Sequence, residues 1–493
     1  MDGRHLAGDG NGSPPESAPA AGTRPSPAAL GRRRLLVHLP FALLLLAGAA
    51  LRVATWRAYR PALLFPDSRG YLLGALNETL QPTRPSGYSV VLWPFLELGG
   101  LATITLLQHL LGLAMAVAIY LLLLRLRVVP WLAALAAAPL LLDSMQLVVE
   151  QYVMSDILFQ ALVLAACLLL LWKRRPGVPL LLAAGAALGV AATVRGAGIL
   201  LLAPAAVTAL ALAGGWRRAG LLLAALGLGF ALPVGAYMAG YHHQHGQYAL
   251  TNATSRFLYA RLAPIADCRG LTLPAHERSL CPPEPLGQRL PSNVYMWDVR
   301  RSPQYHLSPP AGMTAEQVLA DFNRRIILHQ PVRYAQLVAG DLLHGFQPFR
   351  TTRPGDVSVT PWLFHTSLPD TGVRDRAGLY RTFAGHGPVV DRPLAELLVG
   401  YQRLGHTPGP VLGACAVVAL LAAAGVGRAR RSRLRVAAWT FAALCLVALV
   451  TAAMGSVFSW RYQLVQLALL PPAGALGLTA LIRRRSPDAP RAA

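Results

Sequence analysis

Pro66-Asp67-Ser68-Arg69-Gly70-Tyr71-Leu72, followed closely by Arg84-Pro85-Ser86-Gly87-Tyr88, sets an acid, two cations and two tyrosines between two long apolar segments. Charge kept beside hydrocarbon costs several kcal/mol, so groups retained there usually have a task. The surroundings make the cost plain: 54% of the 493 residues are hydrophobic and the mean hydropathy is +0.44. Many apolar runs exceed the roughly 20 residues that span a bilayer, and the chain reads as a polytopic, all-α membrane protein.

The formal net charge of +23 does not indicate a nucleic-acid partner. The arginines fall in short clusters between apolar runs, which is how orientation in a membrane is encoded. Cys167, Cys415 and Cys445 lie in apolar runs and read as small core residues, whereas Cys268 and Cys281 share one polar loop and can pair in an oxidising compartment. No paired C-x2-C zinc pattern occurs.

Ten spans are expected, near 35–55, 101–124, 129–147, 153–172, 178–194, 197–214, 219–240, 408–427, 435–454 and 462–482. Residues 1–31, rich in Pro, Ala, Gly and Ser, are expected to be a disordered tail ahead of Arg32-Arg33-Arg34. With the N-terminus cytoplasmic, the inner connections hold Arg125 and Arg127, Lys173-Arg174-Arg175, Arg217-Arg218, the run Arg428 to Arg435, and Arg483-Arg484-Arg485. Every inner connection is then basic, and an even number of spans puts both termini inside. The expected division is a tail (1–31), a core of seven spans (32–240), a large outer segment (241–407), three further spans (408–482) and a second tail (483–493).

Two outer segments are long. Residues 60–100 carry apolar residues at helical spacing beside polar ones, as short helices lying at the interface would. Within 241–407, Thr314 and Gln317 form a capping-box pattern ahead of an apolar stripe at Val318, Phe322 and Ile326, which predicts a helix to His329. This segment is expected to cap the outer face.

On that face the charged residues converge: Asp67 and Arg84, then Glu150 and Asp156, then Arg195 and Arg461. Acids facing several guanidiniums are what a site needs to hold a phosphate and take a proton from a hydroxyl. Each residue also has a plainer reading. Asp67 suits a helix N-cap, Asp156 a helix dipole, Glu150 an interfacial charge, and Arg195 and Arg461 snorkelling span ends. The cluster His242-His243-Gln244-His245 lacks an i, i+4 pair and reads as a solvated span end in preference to a metal site. No P-loop, Ser-His-Asp set or dinucleotide fingerprint is visible, so a soluble nucleotide donor has no support.

Taken in order, Pro-Asp-Ser-x-x-Tyr-Leu, Arg-Pro-x-Gly-Tyr, Met-Ser-Asp-x-Leu-Phe at 154–159, Arg195 and Arg461-Tyr462 resemble the GT-C superfamily of membrane glycosyltransferases. The branch is the bacterial protein-mannosyltransferase-like and aminoarabinose-transferase-like one, and the resemblance covers about 35–240 and the last spans. It implies a GT-C-like arrangement and an inverting enzyme that takes sugar from a polyprenyl-phosphate donor in the bilayer, at the outer face of the cell membrane. The acceptor would be a polysaccharide, lipid or protein of the cell envelope. By the same resemblance Asp67 is the acid nearest the reacting centre and Asp156 the second acid, with Glu150 grouped beside them. Arg84 faces the donor phosphate, joined by Arg195 and Arg461 and by the motif tyrosines Tyr71, Tyr88 and Tyr462. Some members hold a divalent cation, Mg or Mn, at the second acid. Here Ser68 follows Asp67 where the family often has a second acid, which leaves a divalent cation an open alternative, with Asp67 and Asp156 as its ligands if one is bound. The competing readings are a transporter or flippase of a lipid-linked sugar, for which mid-span charges and repeated halves are missing, and a non-catalytic envelope-assembly protein.

Overall fold

In hydrocarbon every backbone N–H and C=O must be satisfied within the protein, so an apolar run of span length folds as a helix. The computed structural model, which describes residues 36–483, has a helix at each of the ten expected positions. The 1–31 tail lies outside the described residues. In chain order, α1 (Leu39–Ala58) leads through the two-residue strand β1 (Tyr59–Arg60) to the short helix α2 (Pro66–Leu76). Then come α3 (Gly87–Arg125), α4 (Pro130–Leu142), α5 (Ser144–Gln151), α6 (Asp156–Leu171), α7 (Val178–Val194), α8 (Leu202–Ala213, entered by a 3-10 turn at Gly196–Leu201) and α9 (Trp216–His245). Helices α10 (Thr254–Leu262), α11 (Ser292–Trp297), α12 (Ala315–His329), α13 (Pro331–His344), α14 (Arg376–Ala384) and α15 (Arg392–Tyr401) follow, with strand β2 (Val389–Val390) between the last two. The chain closes with α16 (Gly409–Ala423), α17 (Leu434–Gly455) and α18 (Leu464–Ile482).

By length and apolarity α1, α3, α9 and α17, together with α8 and α18 when their 3-10 leads are included, suffice to cross a membrane. Helices α4 and α5 qualify as one span bent by 47°, and α6, α7 and α16 are shorter apolar helices. The bend falls at Asp143, whose carboxylate accepts the Met145 N–H at its own helix start and also receives Arg350 and the Thr407 N–H from the distant outer segment. Helices α7 and α9 lie so close that a Cβ at Gly185 would stand 2.1 Å from the Leu226 carbonyl oxygen. Small residues at such crossings replace the hydrophobic drive that lipid cannot supply.

The expected interfacial helices are α2 and the first three turns of α3. Gly99 and Gly100 break α3 between those turns and the span proper. Gly100 has φ +67°, and a Cβ there would meet the Phe383 carbonyl oxygen at 2.4 Å. Gly100→Ala is therefore expected to lower the thermal midpoint of the purified protein, by about 1–3 kcal/mol of strain; a variant melting like wild type would show that this corner yields freely.

The outer segment has two parts. Around α10 to α12 a separate core gathers Tyr259, Tyr295, Val318, Phe322 and Ile326. Thr314 caps α12 with its hydroxyl on the Gln317 N–H, and the Cys268 and Cys281 sulfurs are bonded. The second part lies against the spans. Strand β2 pairs antiparallel with β1, and the Tyr380 hydroxyl and Thr371 hydroxyl donate to the Ala62 and Leu64 carbonyls. Through these contacts the stretch between α1 and α2 is fastened from above.

Candidate functional site

Helix α2 begins with Pro66, whose missing N–H is no loss at a first helical turn. The N-cap is Phe65, and its N–H donates to the Ser68 hydroxyl, which in turn donates to the Val153 carbonyl. Asp67 is therefore not the cap, and its carboxylate is free to face other elements. It meets Arg84 at 2.5 Å through one oxygen and Arg461 at 2.9 Å through the other.

Asp156 is the first residue of α6, a place where the helix dipole favours an anion. Its Oδ1 pairs with Arg195, which stands at the C-cap of α7 in extended conformation. Its Oδ2 is buried without a hydrogen-bond partner among the described residues, 3.7 Å from the Arg461 guanidinium. Arg461, in the 3-10 turn Trp460–Gln463 ahead of α18, thus stands between both acids. Its guanidinium also lies over Phe65, Trp362 and Tyr462, at 5.5, 5.7 and 5.6 Å from the ring centres. Tyr462 faces Arg195 as well, at 5.1 Å.

The two acids share more than a cation. Leu63 and Tyr152 form a parallel bridge in which the Leu63 N–H donates to the Gln151 carbonyl and the Val153 N–H to the Leu63 carbonyl. The segment leading to Asp67 and the segment leading to Asp156 are thereby one unit. Asp156, Arg195, Arg461 and Tyr462 line a narrow, partly open hollow whose far wall is apolar α17. Asp67 and Arg84 stand behind Arg461, outside this lining. A second narrow hollow shares Leu449, Ala452 and Tyr462 with the first and runs on toward Asp341 and Gln466.

Burial alone would raise the Asp67 carboxyl, but Arg84 and Arg461 outweigh it and hold the group well below the usual carboxylate range. A carboxyl depressed in the folded state contributes stability that is present above its unfolded value near ~3.9 and is lost as pH falls through the folded value. The unliganded protein is accordingly expected to show no change in thermal midpoint from this group between about pH 5 and 8. A midpoint that tracks one added proton in that window, and no longer does so in Asp67→Asn, would contradict the pairing. Burial raises the Tyr71 hydroxyl, and the Asp67 charge adds to the rise.

Of the remaining site residues expected from the sequence, Glu150 falls elsewhere, whereas Tyr71 lies against Arg84 and Tyr88 packs behind it. Glu150 is fully buried and pairs with Arg52 and His109, sharing no ion pair with Arg84, Arg195 or Arg461. Tyr71 and Tyr88 are buried with their hydroxyls engaged, Tyr71 to Ser155 and Tyr88 to Gln108. They pack edge to face at 5.0 Å, and Tyr71 also lies under Arg84. The His242–His245 span end fastens a loop: Gln244 bridges the Glu78 carbonyl and the Leu80 N–H, and His245 meets the Leu80 carbonyl, just ahead of Arg84.

A divalent cation does not fit these residues. Both oxygens of Asp67 and one of Asp156 are taken by guanidiniums, and three guanidiniums against two carboxylates leave a surplus positive charge that repels a dication. Among the described residues no group of three or more His, Cys, Asp or Glu side chains is arranged so as to hold a metal ion. The same surplus suits an anion such as a phosphate.

Five segments bring this charge to one end of an apolar helical bundle, which defines a membrane protein with an anion-ready hollow at its span ends. Residues 100–234, from the span of α3 into α9 and including Asp156 and Arg195, match the family described as dolichyl-phosphate-mannose-protein mannosyltransferase, bearing out the GT-C resemblance drawn from the motifs. No curated protein matches the chain. Among solved structures, that of ArnT from Cupriavidus metallidurans bound to undecaprenyl phosphate aligns at a TM-score of 0.33 and 13% identity, over 88% of this chain and 77% of that one. At that score no residue correspondence is drawn from it.

Proposed function

We propose that this chain is an integral membrane glycosyltransferase that moves a sugar from a polyprenyl-phosphate donor to a cell-envelope acceptor, with inversion at the anomeric carbon. The observation that carries this reading is the meeting of Asp67 and Asp156 at the single guanidinium of Arg461, flanked by Arg84 and Arg195. The donor phosphate draws Arg84 and Arg461 toward itself and so frees the Asp67 carboxylate; the acceptor hydroxyl oxygen attacks the anomeric carbon, the bond from that carbon to the phosphate oxygen breaks, and the hydroxyl proton passes to Asp67. The polyprenyl phosphate leaves with both bonding electrons, and Arg84, Arg195 and Arg461 stabilise the charge that develops on it. Asp156 keeps Arg195 and Arg461 aimed into the hollow and offers its unpaired oxygen to the sugar. No step requires a metal.

The site is assigned to the extracytoplasmic face and both termini to the cytoplasm. The basic connections support this, since Arg125, Arg428 and Arg483 gather at the other end of the bundle on the Trp172, Ile482 and Arg127 carbonyls. The division into a core at 32–240, a cap at 241–407 and three closing spans at 408–482 is kept as part of the proposal. The cap selects the acceptor, a reading supported by Trp362, which reaches Arg461 from that segment.

The test is to incubate the purified full chain in lipid with radiolabelled polyprenyl-phosphate mannose, arabinose and glucose and envelope extract, with and without EDTA. Label is expected to leave one donor for an envelope acceptor, equally with the chelator. Loss of transfer on chelation would overturn the metal-free chemistry, and no transfer from any polyprenyl-phosphate sugar would overturn the function.

A further inference from the structure

Below the hollow, inside the bundle, lies a set of polar groups that the proposed reaction does not use. Arg52 on α1, Gln108 and His109 on α3, and Gln146, Glu150 and Gln151 on α5 are all buried. Ionisable residues at such depth are expensive and need partners. Arg52 donates to Glu150 at 2.8 Å and to the Gly48, Leu140 and Leu141 carbonyls. His109 bridges Glu150 at 2.8 Å and Gln151 at 2.9 Å through its two ring nitrogens. Gln146 donates to the same Glu150 carboxylate, and Gln151 passes the connection up to the Tyr59 carbonyl at 2.6 Å.

The backbone is held by the same set. Gln108 donates to the Glu150 carbonyl at 2.9 Å and to the Tyr152 carbonyl at 2.7 Å while its own oxygen accepts from Tyr88. Tyr88 packs on Tyr71, whose hydroxyl meets that of Ser155, the residue before Asp156. The bridge of Leu63 with Tyr152 joins this held segment to the one that carries Asp67. Space for the carboxylate comes from Gly112, where a Cβ would stand 2.1 Å from Glu150 Oε1 and 2.8 Å from Arg52 Nη2.

We infer that Glu150, clamped by Arg52 and His109, is a positioning residue: it fixes the segment 150–153, and through it the separation of Asp67 and Asp156, without touching substrate. This inference rests on the proposed glycosyl transfer for its kinetic consequence and on geometry alone for its structural one. Removing only the carboxylate leaves Arg52 buried and uncompensated, so loss of fold must be separated from loss of position. The double variant Arg52→Met/Glu150→Met does this, because it removes both charges at similar volume.

The experiment measures kcat and donor KM, using whichever polyprenyl-phosphate sugar wild type turns over, together with hydrogen–deuterium exchange and thermal midpoint. The double variant is expected to melt near wild type. Its kcat should fall about 10- to 100-fold with donor KM changed less than about threefold, since the arginines that meet the phosphate sit on other segments. Amides at 62–65 and 150–154 should exchange faster, while those of α17 are unchanged. Wild-type kcat together with wild-type exchange at those amides would overturn the inference and leave the pair as a packing feature. If wild type transfers no sugar, the proposed function fails, yet the exchange measurement still decides positioning: unchanged protection at 62–65 and 150–154 overturns it.

Discussion

Asp67→Asn is expected to abolish sugar transfer, by about 10²–10⁴-fold, the range a positioned general base supplies. The substitution keeps size and shape. It leaves Arg84 paired with no carboxylate and Arg461 with only the more distant Asp156. The donor phosphate then meets less competition for those guanidiniums, so donor KM should hold or fall while kcat collapses. That split separates a missing base from a damaged binding site. Because Ser68, not Asp67, serves the helix start and ties α2 to Val153, the variant should fold and insert normally. A purified variant with normal kcat would remove Asp67 from the chemistry.

Arg461→Ala has the second largest expected effect, and on both parameters. It removes the cation common to two acids and leaves Asp67 and Asp156 facing one another with only Arg84 and Arg195. Loss of one preorganised charge donor at a leaving phosphate lowers kcat by about 10²–10³-fold, and donor KM rises with it. Arg461→Lys should recover little, since a shorter side chain with a compact ammonium cannot reproduce the planar, delocalised guanidinium that stands over Trp362 and Tyr462 while one of its nitrogens faces both acids. Retention of more than a tenth of wild-type activity by the Lys variant would indicate that the planar guanidinium is dispensable.

The helices were readable because an apolar run has one way to satisfy its backbone in lipid, and the glycine pair at 99–100 falls where the expected span begins. The convergence of Asp67, Arg84, Asp156, Arg195 and Arg461 was readable from alternation alone, because each lies at a span end of the same parity. Depth was harder. Glu150 and Asp156 are six positions apart and look alike in sequence, but the bend at Asp143 turns α5 inward and carries Glu150 into the bundle. Its partners Arg52, Gln108 and His109 are polar residues within apolar runs, the sequence signal of a buried cluster, and together with Glu150 they correct the expectation that charge inside the spans is missing. Phe65 and Trp362 could not be placed in advance, since their contact with Arg461 depends on how the outer segment folds back over the span ends.

The most direct measurement is photo-crosslinking of the purified chain with an undecaprenyl phosphate that carries a diazirine beside the phosphate, followed by peptide mapping. Label is expected within residues 154–159, 195–197 and 459–465, competed by unmodified undecaprenyl phosphate and lost in Arg461→Ala. Label confined to other helices, or unaffected by that substitution, would contradict a phosphate hollow built around Arg461.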